Sequence, residues 1–98
     1  MKLPDKFEER LYTKNFRKVT SEAAISIDYY EKLKIIEIEY KNGKIYHYLN
    51  MNKKIWNKFL EFADKGEGLG TYINQEFKHQ KNNTDYYELI VVPTPTNK

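Results

Sequence analysis

The sequence holds no cysteine, which excludes a disulfide framework, a thiolate nucleophile and the cysteine-rich zinc sites of small folds. Histidine is nearly as scarce, with His47 and His79 alone. A catalytic metal site takes three protein ligands, so an Asp or Glu would have to complete one, and no ligand spacing suggests it. Neither a metal nor a cofactor is expected. No apolar run is longer than Leu89 to Val92, so nothing reads as a membrane span. The opening stretch, MKLPDKFEER, turns charged where an export signal would be apolar, and the expected compartment is the cytoplasm. Arginine is limited to Arg10 and Arg17, fewer than a dedicated phosphate reader uses.

What is present describes one modest domain. A chain of 98 residues buries about 60–65% of its unfolded surface, so each large apolar side chain counts. The chain is 40% hydrophobic and 32% charged, too apolar for a disordered segment. Its net charge of +3 is accounted for by residues 1–18, where six Lys or Arg meet three Asp or Glu. Such a basic end attracts RNA, DNA or an acidic protein, although a solvated lysine surface explains the same count.

Periodicity supplies the elements. Residues 5–16 follow Pro4, which suits a first helical turn, and Phe7 and Leu11 would share a buried stripe; a short helix is expected there. From Ala23 the period becomes two. Ala23, Ile25, Ile27 and Tyr29 alternate with Ala24, Ser26, Asp28 and Tyr30, and Ile36, Ile38 and Tyr40 with Glu37 and Glu39. These are strands with one face buried and one wet. A tight turn at Glu31-Lys32 would pair Ile27 with Ile36 and Ile25 with Ile38. Asn42-Gly43 is the strongest turn signal and leads into a third strand, residues 44–49. A two-residue turn puts Ile45, His47 and Leu49 on the core face and leaves Tyr46 and Tyr48 beside Glu37 and Glu39. A three-residue turn with a bulge reverses this and sets both tyrosines against Ile36 and Ile38. The sequence admits both.

An amphipathic helix follows over about residues 53–65, with Trp56, Phe59, Leu60 and Ala63 at helical spacing, Asn52 as N-cap and Gly66 as stop. A glycine elbow leads to a second helix at about 71–80, capped by Thr71, whose Tyr72, Ile73 and Phe77 would face the sheet. Tyr86 to Val92 reads as a fourth strand, and the remaining residues as a loose tail. The expected fold is α+β: an antiparallel meander of three to four strands packed by one or two amphipathic helices. Residues 1–20 form a basic extension, 21–80 the domain proper, and 81–98 the last strand and tail.

Tyr46-His47-Tyr48 after the Asn-Gly turn, the amphipathic helix, and Gly70-Thr71-Tyr72-Ile73-Asn74 together resemble the KTSC domain, over about residues 21–78. That domain is named for its place at the C-terminus of some lysyl-tRNA synthetases, and it also stands alone in small proteins. Its first mark is the Tyr-x-Tyr at Tyr46 and Tyr48, its second the Gly70, Tyr72, Asn74 set. Met51 and Asn52 stand where a Val-Pro pair is usual, and Gly68 where a serine is usual. The resemblance implies a binding module, suggested for RNA through the synthetase connection; it marks Tyr72 and Asn74 as candidates alongside Tyr46 and Tyr48.

The residues themselves allow two binding chemistries. An exposed Tyr46–Tyr48 pair with Lys44 nearby would stack single-stranded bases, helped by Arg10 and Arg17, while Glu37 and Glu39 on that face would repel phosphate; equally, both tyrosines suit ordinary sheet packing. Lys53, Lys54 and Lys58 oppose the dipole of the main helix, a cost sometimes kept because helix starts hold anions. The other chemistry is a protein or small-ligand interface using exposed aromatics, including Tyr29, Tyr30, Tyr86 and Tyr87; an accessory protein of phage or mobile-element origin that blocks a host factor is a third reading. Gly66-Glu67-Gly68-Leu69-Gly70 follows a helix and lacks the Gly-Lys-Ser/Thr ending of a phosphate loop. Glu37 and Glu39 stand about 7 Å apart along a strand, within glycosidase range, but no cleft is evident, and no catalytic residue is expected. An exposed edge at Tyr86 to Val92 would allow a homodimer.

Overall fold

The Asn42-Gly43 turn decides which side of the sheet each later residue faces. In the computed structural model, which describes residues 1–75 and 85–92, Gly43 holds φ of 88°. Its N–H donates to the Tyr40 carbonyl at 2.9 Å, and the Tyr40 N–H donates to the Lys44 carbonyl at 2.9 Å. This is the longer turn with a bulge, so Tyr46 pairs with Ile38 and Tyr48 with Ile36. A Cβ at Gly43 would meet nothing within 4 Å, so Gly43→Ala isolates the backbone cost of a positive φ. The variant is expected to lose about 1–2 kcal/mol, read as a lower urea midpoint with an unchanged slope.

Among the described residues eight elements follow in chain order: β1 (Lys6–Glu8), β2 (Arg17–Lys18), β3 (Ala24–Tyr30), β4 (Ile35–Tyr40), β5 (Ile45–Tyr48), α1 (Lys53–Lys65), α2 (Leu69–Ile73) and β6 (Tyr86–Val91). The fold is α+β, and the sheet is wider than a four-stranded meander: six strands in the order β1-β6-β5-β4-β3-β2. β3 to β6 are antiparallel neighbours. The added strands come from the N-terminal extension, with β1 parallel to β6 and β2 antiparallel to β3.

Residues 5–16 are therefore not the expected helix. Phe7 and Leu11 are 67% and 60% exposed, so there is no buried stripe to hold one. The β1 backbone is satisfied across the sheet instead, with the Val92 N–H donating to the Glu8 carbonyl. By the same arrangement β6 lies between β5 and β1 and is not an open edge, which removes the premise for pairing a second copy there.

The β3–β4 pairing is also shifted from expectation. The connection spans residues 31–34 with Lys34 at φ 55°, longer than a two-residue turn, so Ile27 faces Ile38 and Tyr29 faces Ile36. A bulge between Ala24 and Ser26 leaves Ile25 40% exposed. Ile27, Tyr29, Ile36, Ile38, Tyr40 and Tyr48 then line one face and form the core with Trp56 and Phe59 of α1 and Leu69 and Ile73 of α2.

α1 starts and stops where its sequence directs. The Asn52 side chain accepts from the Ile55 N–H, and Gly66 at φ 72° closes the helix by donating to the Phe62 and Ala63 carbonyls. α2 begins earlier than expected and is preceded by Gly68 at φ 83°, with no side-chain cap. Tyr72 packs on α1, stacked on Phe62 with centroids 5.0 Å apart and edge-on to Phe59 at 5.2 Å. The readings for Phe77, His79, the end of the second helix and the tail lie outside the described residues.

Candidate functional site

The second face of the sheet carries the polar residues of the alternation, and it is not wet. Ser26, Asp28, Glu37 and His47 are all buried, because residues 9–16 cross over them. Glu37 is the centre. Its Oε1 accepts from Arg10 Nε at 2.9 Å and Nη2 at 2.7 Å, while Oε2 accepts from Tyr30 Oη at 2.6 Å and is bonded to His47 Nε2 at 2.9 Å. His47 Nδ1 is held by Tyr87 Oη at 2.8 Å. Arg10 also donates to Glu39 at 3.0 Å and to Ser26 at 3.0 Å, and Asp28 accepts from the backbone N–H and the hydroxyl of Thr13.

Burial alone would push the Glu37 carboxyl up, but the bonds from His47, Tyr30 and Arg10 more than offset it and hold the group below the usual carboxylate range. Burial opposes the Arg10 charge in the same way, and Glu37 and Glu39 outweigh it. Glu37 accepts at both oxygens twice, which fills its capacity. Among the described residues no buried side-chain N or O lacks a hydrogen-bond partner. Such a satisfied, closed array fastens the N-terminal segment to the sheet.

Tyr46 and Tyr48, open in the sequence to either a stacking platform or sheet packing, face the helices. Tyr48 is 5% exposed and shares a 2.6 Å hydrogen bond with Tyr40 through their hydroxyls. Burial raises both phenols, Tyr40 to about 12. Tyr46 is partly buried between Tyr40 and Tyr86, with centroids 5.7 and 5.9 Å away. No base can slide onto the Tyr48 ring without opening the core.

The remaining candidates disperse. Arg10 is internal, its side chain 7% exposed. Arg17 pairs with Asp64 at 2.7 Å on the surface. Lys44 is exposed beside the Asn-Gly turn, at the opposite end of β4 and β5 from the β3–β4 loop. Asn74 is exposed after α2, while Tyr72 is part of the α1–α2 packing. The structure does not bring these residues into one site.

It does bring together an end that sequence reasoning missed. The β3–β4 loop meets the start of α1, where the Met51 N–H donates to the Lys34 carbonyl at 2.8 Å and Tyr29 Oη donates to the Met51 carbonyl at 2.9 Å. Against this loop the N-terminal segment leaves an open groove of about 380 Å³, with Leu11, Tyr29, Tyr30 and Leu33 among its lining. Leu11 and Leu33 are 60% and 63% exposed. Lys14 and Lys32 are in its wall, and Glu31 lies between Lys14 Nζ at 3.7 Å and Lys53 Nζ at 3.9 Å. A second cleft of about 400 Å³ lies under the glycine elbow, where hydroxyls of Thr20, Ser21 and Thr71 meet Lys41 but also Glu22 and Glu67.

Among the described residues no helix is long and apolar enough to cross a membrane, and no group of His, Asp or Glu gathers as metal ligands. A comparison with curated proteins finds no match. The departure at Gly68 has a local reason, since its φ of 83° disfavours a side chain and an added Cβ would lie 3.0 Å from Phe62 Cδ1. The family model of the KTSC domain matches residues 20–80, more than half of the chain, so the protein belongs to the KTSC domain family.

Proposed function

We propose that the chain is a non-enzymatic binding module that engages a protein through the lysine-rich end described above. The observation that carries this reading is the open groove between the N-terminal segment and the β3–β4 loop, with two leucines held outward on its rim. Isolated exposed leucines need no explanation, but apolar rims around a groove mark contact sites. The groups best suited to chemistry, Glu37 and His47, are sealed at 0% and 2% side-chain exposure and fully occupied, which supports binding rather than catalysis. The test is capture from a lysate of the source cells by the immobilised protein, compared with Leu33→Asp and with Val91→Asp, which changes an exposed apolar residue elsewhere. A protein retained by wild type and Val91→Asp but lost from Leu33→Asp supports the reading, and retention indifferent to Leu33 removes it.

RNA is the second reading, and the lysines at the same end favour it. Lys14, Lys32, Lys34, Lys53 and Lys54 surround one end of the molecule. If about four of them met phosphates, the affinity for a single strand would fall with salt at a logarithmic slope of about −3. Absence of binding to a labelled single-stranded RNA at about 100 μM protein in low salt would end that reading.

A further inference from the structure

We propose that the groove receives one bulky apolar side chain carried by an acidic segment of the protein partner. This deepens, and rests on, the protein-binding reading above. Three observations converge on the occupant. The first is shape: the leucine walls and the floor near Tyr29 and Tyr30 border an open groove of about 380 Å³, within the range of clefts that hold small groups. The second is charge. Five lysines (Lys14, Lys32, Lys34, Lys53 and Lys54) crowd this end, and the carboxylate nearest them, Glu31, is 40% exposed and held only loosely, at 3.7 and 3.9 Å. An incoming carboxylate can take over either contact, since exposed pairs of this kind are weak.

The third observation is the state of the backbone. The Tyr29 carbonyl is already bonded to Asn15 Nδ2 at 2.9 Å and to the Thr13 hydroxyl at 3.2 Å, so β3 offers no free edge here for an added strand. Recognition falls to side chains: an apolar anchor between Leu11 and Leu33, and acidic neighbours on the lysines. A nucleic acid meets the charge but not the walls, because Tyr29 and Tyr30 are 3% and 6% exposed and give bases no open aromatic face.

The experiment uses the full chain and two fluorescein-labelled peptides, one with a single phenylalanine flanked by glutamates and a twin with alanine at that place. Fluorescence anisotropy should show the phenylalanine peptide binding about tenfold more tightly than its twin. Leu33→Ala combined with Leu11→Ala should erase that difference, and Lys32→Glu with Lys53→Glu should weaken both peptides. Binding should fall as salt rises. Equal affinity for the two peptides overturns the proposal, as does a preference for phenylalanine that survives in the leucine variant. A labelled single-stranded RNA that displaces the phenylalanine peptide and ignores the leucine substitutions overturns it in favour of nucleic acid. Should the peptides fail while lysate capture still depends on Leu33, the partner's chemistry is wrong and the protein-binding reading stands; should both fail, both fall.

Discussion

Replacing Arg10 with alanine is expected to cost about 3–5 kcal/mol in urea unfolding at neutral pH. The reason is what remains behind. Glu37 is fully buried and Arg10 supplies two of the hydrogen bonds to its Oε1, so the variant keeps a carboxylate in the interior with half its donors gone. Breaking a buried pair on one side is much worse than removing it altogether. Arg10→Met together with Glu37→Gln should therefore recover part of the loss. A double-mutant cycle over these positions is expected to give a coupling of about 2–3 kcal/mol. A cost under about 1 kcal/mol for Arg10→Ala would mean that the N-terminal segment does not seal this face.

The same site has a pH signature. The folded Glu37 carboxyl is held below its unfolded value, which is about 4.3. Its contribution is then complete above that value and disappears as the pH falls through the lower, folded one. In Arg10→Ala the bonds from His47 and Tyr30 remain but those from Arg10 are lost while burial stays, so the folded carboxyl moves up from its wild-type value. The variant is hurt most where Glu37 must be charged, and the gap to wild type should narrow as the pH is lowered into the carboxylate range, about 4. Parallel stability profiles for the two proteins would contradict this account of the network.

How much of this was legible depends on whether the signal was local. The alternation from Ala24 to Tyr40, the Asn-Gly turn and the spacing of Trp56 and Phe59 each depend on neighbours a few residues away, and β3, β4, β5 and α1 appear where those patterns put them. The register of β5 was not legible, because Tyr46-His47-Tyr48 offers a packable residue to either face. The polar face misled for a different reason. Ser26, Asp28, Glu37 and Glu39 have the pattern of a wet surface, and they are covered because Arg10 arrives from 27 and 29 positions away to meet Glu37 and Glu39, and Thr13 from 15 away to meet Asp28. The retrievable hint was His47, which falls opposite Glu37 in the bulged register. Leu11 and Leu33 line one groove from separate parts of the chain, so no periodicity could announce it. Arg10 reads as a surface group in the sequence for want of the strand face that it covers, whereas the tyrosine pair is open to either face until the turn fixes its register.

Trp56→Ala is expected to cost a further 3–5 kcal/mol, about the loss typical of a large buried aromatic, and it tests how α1 holds the sheet. Trp56 is 2% exposed. Its ring lies 5.5 Å from that of Tyr29, nearly parallel at 17°, and 6.2 Å from that of Phe59, so the indole fills the space between helix and β3. Removing it takes away both contacts, and the backbone cannot close the gap easily while Tyr29 Oη is held to the Met51 carbonyl. For a domain of this size each kcal/mol corresponds to about 4–8 °C in melting temperature. With about 5–15 kcal/mol available in all, the variant should melt tens of degrees lower. As Trp56 is the sole tryptophan, circular dichroism rather than tryptophan fluorescence follows the transition. Trp56→Phe should cost less, because a ring still spans the gap. Leu33→Ala, at a site 63% exposed, should stay within about 0.5 kcal/mol of wild type. That contrast matters for the binding end, because the leucine substitutions that test it must leave the fold intact. A small effect of Trp56→Ala would mean instead that α1 is not docked on β3, and a loosely docked α1 would carry Lys53 and Lys54 away from the groove they flank.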